Sequence, residues 1–349
     1  MPPSLLLVGA RAESRIVTLL DAEACRWADV DPDLAAPVLA LRDLVVAGGK
    51  RLRPAFCHWA YVGAGGEPDA PVVVEAGAAL ELLHTFALVH DDVMDGSDRR
   101  RGHPAVHRQF MTRHDDAGWR GEARRFGEGA AILVGDFAFV YADILFADAP
   151  AVARRIFDEL RLELCVGQHL DLVGTASGSS DARQAARIER YKSGKYTVER
   201  PLHLGAALAG PGCLGELAAA LSAFGLPLGE AFQLRDDLLG VFGDSATTGK
   251  PVGDDLREGK LTPLLAAATA RVDGAGAAVL EHVGCADISA EEVAAVQALL
   301  VECGACDEVE CAIESLVEEA LAALAVAPIT DEARAALQEL ATYVAWRDR

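Results

Sequence analysis

The chain has 349 residues, is 51% hydrophobic but only 6% aromatic, and carries 32 basic against 53 acidic side chains, a formal charge of 32 − 53 = −21. That length buries a large core. That acidity makes it a poor non-specific partner for nucleic acid or an anionic membrane surface. The first residues, MPPSLLLVGARAESR, hold a short apolar run with no basic residue before it, unlike a signal peptide. No stretch approaches 18 uninterrupted apolar residues, so no transmembrane segment is expected. Ala and Leu dominate, and helical patterns recur over 72–95, 129–147, 151–173, 183–209, 216–242, 258–271, 290–304 and 308–326. A last helix follows Pro328, with Thr330-Asp331 as its N-cap. Between them, 63–71, 112–129, 174–181 and 244–255 read as loops, the second of them mobile. Strand alternation is rare, so the fold class expected is all-α. Eight scattered cysteines fit reduced thiols and a cytoplasmic protein. Cys303 and Cys306 form a CxxC, but no paired element supplies a zinc site's remaining ligands, and they read as helix residues.

Two acidic clusters carry chemistry. In HDDVMD, Asp91 and Asp95 stand four apart, which puts both carboxylates on one helix face, with Asp92 beside them. Paired hard-oxygen anions suit Mg²⁺, which binds through one or two carboxylates and completes its shell with waters and substrate phosphates. Taken alone the motif is also what an acidic helix end looks like, since Gly96-Ser97 follows. The pair Asp115-Asp116, after His114, lacks a matching third acid and reads as part of a loop. The second cluster, FQLRDDLLGVFGD, sets Gln233, Asp236, Asp237 and Gly240 on one stripe of a strongly apolar helix. Buried acids there are costly unless they hold a ligand. Basic residues gather against the overall charge in GGKRLRP (Lys50, Arg51, Arg53) and in Arg99-Arg100-Arg101, with Lys192, Lys195, Lys250 and Lys260 near helix ends. Arg forks and Lys point charges are natural grips for diphosphates, and also ordinary surface charge.

In order, GGKRLRP, DDVMDGSDRRRG, GQHLDL, YKSGKYT, FQLRDDLLGVFGD and TGKPVGDDLREGK resemble the trans-isoprenyl diphosphate synthases, or polyprenyl synthetases. The resemblance runs over about 45–265, with a helical portion to 349. It implies one all-α prenyltransferase domain over 1–349, a helical bundle around a deep central cavity, usually a homodimer. It implies a condensation of isopentenyl diphosphate with an allylic diphosphate, using three Mg²⁺. Asp91, Asp92, Asp95, Asp236, Asp237 and Lys192 match the catalytic positions, with Asp91, Asp95 and Asp236 as metal ligands. Lys50, Arg53, His84 and Arg101 match the grip on isopentenyl diphosphate. Arg100, Lys192, Lys250 and Lys260 match the grip on the allylic diphosphate. Ser193 stands where the family usually has Thr, and Tyr196 and Gln233 line the allylic pocket. Gln168 and Asp171 match further cavity positions. Gly240 departs from the pattern by replacing the second motif's third Asp, and nearby Asp244 is a candidate substitute.

The residues four and five before Asp91, Ala87 and Phe86, match the family's chain-length positions. One aromatic there resembles the geranylgeranyl pattern. A farnesyl or longer-chain synthase and a non-catalytic partner subunit are the alternatives. A terpene cyclase would lack GGKRLRP and carry an Asn/Ser/Glu triad, which is not found near 236. On a helical wheel Phe86 lies about 140° from Asp91, so it could equally be core.

Overall fold

The Ala- and Leu-rich windows become helices in the computed structural model, which describes residues 1–177, 190–210, 212–243, 253–260, 262–285 and 287–347. The side chains of 190–193 and 254 lie outside the described set. The helices are α1 (Pro3–Ala28), α2 (Ala35–Val46), α3 (Leu52–Gly63), α4 (Pro71–Asp95), α5 (Val106–Asp116), α6 (Ala123–Phe146) and α7 (Ala151–Ser177). They continue with a π-helical α8 (Arg190–Glu199), then α9 (Arg200–Ala209), α10 (Cys213–Phe242), α11 (Asp254–Glu258), α12 (Pro263–Thr269), α13 (Gly274–Leu280), α14 (Ala290–Glu302), α15 (Ala305–Val326) and α16 (Asp331–Trp346). Among the described residues the only sheet is the hairpin of β1 (Arg99–Arg100) and β2 (His103–Pro104). The all-α expectation holds.

The chain falls into two compact units, one of Pro3–His58 and Glu67–Pro150, the other of Trp59–Gly66 and Ala151–Arg349. In the first, α4 packs against α1, α2, α5 and α6. It is buried on most of its circumference, as a helix that is apolar all round must be. Leu80, Leu82, Leu83 and Val89 of α4 are fully buried, as are Ile16 and Leu20 of α1. Pro71 starts α4 at a position that needs no N–H, and Gly96 ends it in the left-handed conformation (φ 69°). In the second unit, α10 is the hub, packing against α8, α9, α15 and α16 over Leu202, Phe224, Leu228, Ile313 and Val317.

Several boundaries differ from the sequence reading. α1, α2, α3 and α13 fall where no helix was expected. The stretch 112–129 is not one loop: α5 runs to Asp116 and α6 starts at Ala123, so His114 to Asp116 lie in a helical turn. Gly127 serves close approach rather than a turn, because a Cβ there would meet the His107 carbonyl oxygen at 2.4 Å. The pattern over 183–209 divides into α8 and α9, with Pro201 at the junction unable to donate a backbone hydrogen bond. The pattern over 258–271 starts afresh at Thr262, whose hydroxyl accepts from Leu265 N (3.3 Å). The Thr330 cap on α16 is present and accepts from Ala333 N. Cys303 and Cys306 straddle the break between α14 and α15, and all eight cysteines are free.

Three helices, α4, α6 and α10, are long and apolar enough to cross a membrane by length and composition. Uninterrupted apolar runs miss them because Gly and a few polar residues, such as Glu75, Glu81 and His84 in α4, break each run. Of their apolar windows, 61%, 44% and 56% are buried within the protein.

Candidate active site

In the first unit the chain turns at Gly96 and the hairpin returns Arg100 to α4. Arg100 Nε donates to Asp92 Oδ1 (2.8 Å) and Nη2 reaches Asp91 Oδ2 (3.4 Å). Asp92 is 1% exposed, whereas Asp91 and Asp95 are half-buried. Asp92 therefore holds an arginine, and Asp91 and Asp95, one turn apart, are the acids presented outward.

Behind them lies a cationic nest. Arg51, in left-handed backbone (φ 50°), is buried where the chain enters α3. Its guanidinium donates to buried Glu81 of α4, to Glu13 Oε2 (2.8 Å) and to the Val45 carbonyl (2.5 Å). Arg101, also at positive φ (52°), donates to the Leu44 carbonyl (2.7 Å) and approaches Glu81 Oε1 (3.5 Å). Burial would weaken Arg51's hold on its proton, but Glu81 and Glu13 outweigh it and raise its pKa. His84, one helical turn beyond Glu81, is pushed well below the usual imidazole range by burial and then by Arg53, Arg101, Arg51 and Arg100. Burial and the positive charge around it thus both favour the neutral form of His84. Lys50, just before α3, and Arg53, in its first turn, are half-buried.

Burial is the main cause that lowers His84, His58 (to about 4), His107 and His203 alike. These groups are neutral in the folded protein and protonate near 6.5 once unfolded, so the unfolded chain binds more protons below that pH. Stability is expected to be full above about pH 6.5 and to fall as pH drops below it. Melting temperatures measured at falling pH should show this decline, and His84→Gln should flatten it by one proton, about 1.4 kcal/mol per pH unit.

In the second unit, α7, α8 and α9 meet at Glu163. Burial would raise its pKa, but hydrogen bonds from Arg200 and Lys195 win and lower it. Arg200 grips the carboxylate with two nitrogens, each at 2.7 Å, and Lys195 donates to Oε1. This fixes α8, a π-helical segment of a kind that gathers at functional sites. Tyr196 of α8 is buried. Lys192 and Ser193 belong to α8, with side chains outside the described set, and Lys250 and Asp244 lie outside the described residues. Gln168 and Asp171, half-buried and three apart on α7, share one face.

On α10, Gln233 Nε2 donates to Asp237 Oδ1 (2.7 Å), and Asp237 is buried. Asp236 is the exposed member and accepts from Arg347, a residue the sequence did not single out. The space beside Gly240 is filled: a Cβ there would lie 1.8 Å from Asp255 Oδ2. Asp255, on α11, therefore stands where a third acid of this motif would project, and Lys260 Nζ holds its Oδ1 (3.3 Å) and Glu258 Oε2 (2.6 Å). GDDLREGK, with its Asp pair before Lys260, was the available signal for Asp255. Gly240→Asp is expected to destabilise the protein by about 1–3 kcal/mol through overpacking. Adding Asp255→Gly should restore most of the loss, both read by urea unfolding.

The donors fit Mg²⁺. All are hard carboxylate oxygens, the donor type that Mg²⁺ prefers when waters and substrate phosphates supply the rest of its shell. Phe86, beside these acids in sequence, packs its ring on His90 (4.6 Å) and on Phe139 of α6 (5.0 Å).

The profile of the family described as polyprenyl synthetase matches residues 38–300. A geranylfarnesyl diphosphate synthase of Aeropyrum pernix is 31% identical, over 87% of this chain and 92% of that protein. A geranylgeranyl diphosphate synthase of Methanosarcina mazei is 33% identical, over 87% and 90%. The solved geranylgeranyl pyrophosphate synthase of Corynebacterium glutamicum, complexed with isoprenyl diphosphate and magnesium, superposes with a TM-score of 0.92 at 37% identity, over 98% of this chain and 99% of that one. With the motifs, the fold and the family profile in agreement, the chain belongs to the polyprenyl synthetases, a family of prenyltransferases.

Proposed function

We propose that this protein condenses isopentenyl diphosphate with an allylic diphosphate in a Mg²⁺-dependent reaction, with geranylgeranyl diphosphate as product. The observation that supports the reading is the placement of half-buried Arg100 on Asp92 and Asp91 by the hairpin, with Arg101 next to it and Lys50 and Arg53 half-buried at the entry to α3. Glu81, Glu13 and Asp92 hold Arg51 and Arg100 in place, and in a chain of charge −21 a diphosphate is an anion that such a cluster would receive.

Asp91 and Asp95 of one cluster and Asp236 of the other would hold the ions, of which the family resemblance implies three. Bound there, Mg²⁺ supplies Lewis-acid charge to the diphosphate oxygens. Lys50, Arg53 and Arg101, with His84 as a neutral hydrogen-bonding partner, grip the isopentenyl diphosphate. Arg100, Lys192, Lys250 and Lys260 neutralise the allylic diphosphate as its C–O bond breaks, stabilising charge that develops in the transition state. Ser193, Tyr196 and Gln233 shape the allylic pocket. The isopentenyl double bond then attacks the allylic carbon, and a proton leaves to the departing diphosphate. No side chain here is required as a titrating base. Glu81 and Glu163 hold the arginines and lysine of each unit without themselves meeting substrate.

A homodimer is part of the proposal. Phe126, Leu133, Val140 and Ile144 are large, exposed and aligned at seven- and four-residue steps along α6, an apolar stripe of the kind an isologous interface covers. A cytoplasmic setting is also part of the proposal, in keeping with eight scattered cysteines in a chain of this size.

Product analysis tests the reading. The protein is incubated with Mg²⁺, isopentenyl diphosphate and five-, ten- or fifteen-carbon allylic primers, and the dephosphorylated alcohols are sized. A dominant twenty-carbon alcohol is expected. A farnesyl-sized or longer alcohol keeps the reaction and corrects the product. No alcohol from any primer overturns the reading in favour of a non-catalytic subunit. Phe86→Ala is expected to lengthen the product by at least one five-carbon unit, with Ala87 completing the floor. An unchanged alcohol would return Phe86 to plain packing between α4 and α6.

A further inference from the structure

Asp236 is already committed on one side. Arg347, directly after α16, donates through Nη2 to Asp236 Oδ1 and to the Phe232 carbonyl (3.3 Å). Its Nη1 donates to the Val344 carbonyl (2.8 Å), and its guanidinium lies over the Phe232 ring, 4.4 Å from the centroid. The Arg347 side chain is 0% exposed, against 39% for Asp236. The neighbouring contact is equally fixed. Arg235 Nε donates to the Ala345 carbonyl (2.7 Å), while its other two nitrogens fork onto Glu310 of α15 (2.8 and 2.6 Å). A guanidinium with three acceptors, an aromatic face beneath it and no exposed surface is a stationary cation.

Its position has an electrostatic consequence. Asp237 is buried and takes a hydrogen bond from Gln233, so Asp236 is the α10 acid open to a ligand. With Arg347 on Oδ1, the carboxylate is held in one rotamer and offers its second oxygen. The pair is electrically neutral. A divalent cation at that second oxygen gains the attraction of the Asp236 carboxylate, with Asp237 next in sequence and Asp255 beside Gly240, and meets the repulsion of the Arg347 guanidinium held on Oδ1. Such a site is shaped for a cation but attracts it less than the carboxylates alone would. A diphosphate brings several negative charges at once and changes the balance.

We propose that Arg347 is a positioning residue that fixes Asp236 by one oxygen and keeps the site weak for the bare ion, so that the metal loads together with the diphosphate. This rests on the reading of Asp236 as a metal ligand, made under the proposed function.

Mn²⁺, which shares the preference for hard oxygen donors and is visible by electron paramagnetic resonance, is the probe. The background is Asp91→Asn/Asp95→Asn, which removes the other acidic cluster. Free Mn²⁺ is titrated with and without inorganic pyrophosphate. Without pyrophosphate, Arg347→Gln is expected to bind Mn²⁺ about tenfold more tightly, the order for one unit charge withdrawn from beside a divalent ion. Arg347→Lys, which keeps the charge, should stay within about twofold, and pyrophosphate should narrow the gap between the variants. A merely structural Arg347 would move the affinity the other way, by loosening Asp236. Unchanged or weaker binding in Arg347→Gln therefore overturns the inference. Arg347→Met, which keeps the packing on Phe232, carries the same expectation should Arg347→Gln not fold. Asp236→Asn separates the two levels. If it leaves Mn²⁺ binding intact, the ligand assignment falls and the inference with it. If it abolishes binding while Arg347→Gln tightens nothing, only the inference falls.

Discussion

Asp91→Ala is expected to lower turnover by about a thousandfold, the order for removing one preorganised electrostatic group from a transition state that develops charge, while the protein stays folded. The expectation rests on how the acids of α4 divide their work. Asp92 is buried and clasps Arg100, so its loss would strand a guanidinium and disturb the hairpin that carries Arg101. Asp91 approaches Arg100 at 3.4 Å and is half-buried. Asp95 stands one turn on along the same helix face, and two carboxylates so spaced repel by about 0.2–0.5 kcal/mol in a bare helix. Taking Asp91 away should therefore leave the melting temperature unchanged or slightly higher. A large kinetic loss with no loss of stability is the signature of a group retained for a ligand rather than for the fold. Steady-state kinetics across a range of Mg²⁺, alongside a thermal melt, separates the two. A folded variant that turns over like the parent removes Asp91 from the metal site.

Much of this is legible in the sequence, for identifiable physical reasons. α4 reads from sequence because Ala and Leu fill it, Pro71 opens it and Gly96 closes it, all local signals. The acidic clusters read because carboxylates at fixed helical spacing declare a shared face. α1 carried a signal that was passed over: Leu5, Val8, Ala12, Ile16, Leu20 and Ala24 recur at three- and four-residue steps and are its buried face. The start of α6 was hidden by Gly127, whose missing side chain answers a tertiary contact and not a turn. What no local pattern could give is the pairing of distant charges. Glu81 meets Arg51 and Arg101, Glu163 meets Lys195 and Arg200, and Asp236 meets Arg347 across 111 positions of sequence. Glu81 and Glu163 looked like ordinary surface charges in a chain with 53 acids, and Asp236, though singled out, gave no sign of Arg347. Only burial distinguishes the few that hold the site together, and burial is a property of the fold.

Glu81→Gln is the test of that distinction, and its expected cost is about 3–5 kcal/mol of unfolding free energy, the penalty for leaving a buried charge without its counter-ion. Glu81 is 2% exposed, and its carboxylate is shared by Arg51, itself buried, and Arg101. Arg51 keeps Glu13 and the Val45 carbonyl in the variant, which favours the lower end of the range. Arg101 keeps only the Leu44 carbonyl among the partners seen here, and burial already lowers its pKa. The amide preserves shape and one acceptor, so the loss reads charge rather than volume. Two consequences should appear together: a lower urea midpoint at unchanged slope, and a raised KM for isopentenyl diphosphate, because Arg101 loses its carboxylate partner. Glu75→Gln supplies the contrast, since Glu75 pairs with Arg15 (2.6 Å) with both side chains about a third exposed, and pairs of that kind contribute roughly 0–1 kcal/mol. Equal effects in the two variants would mean that depth of burial does not set the worth of these acids; a clear gap would mark Glu81 as the anchor from which the arginine nest is hung.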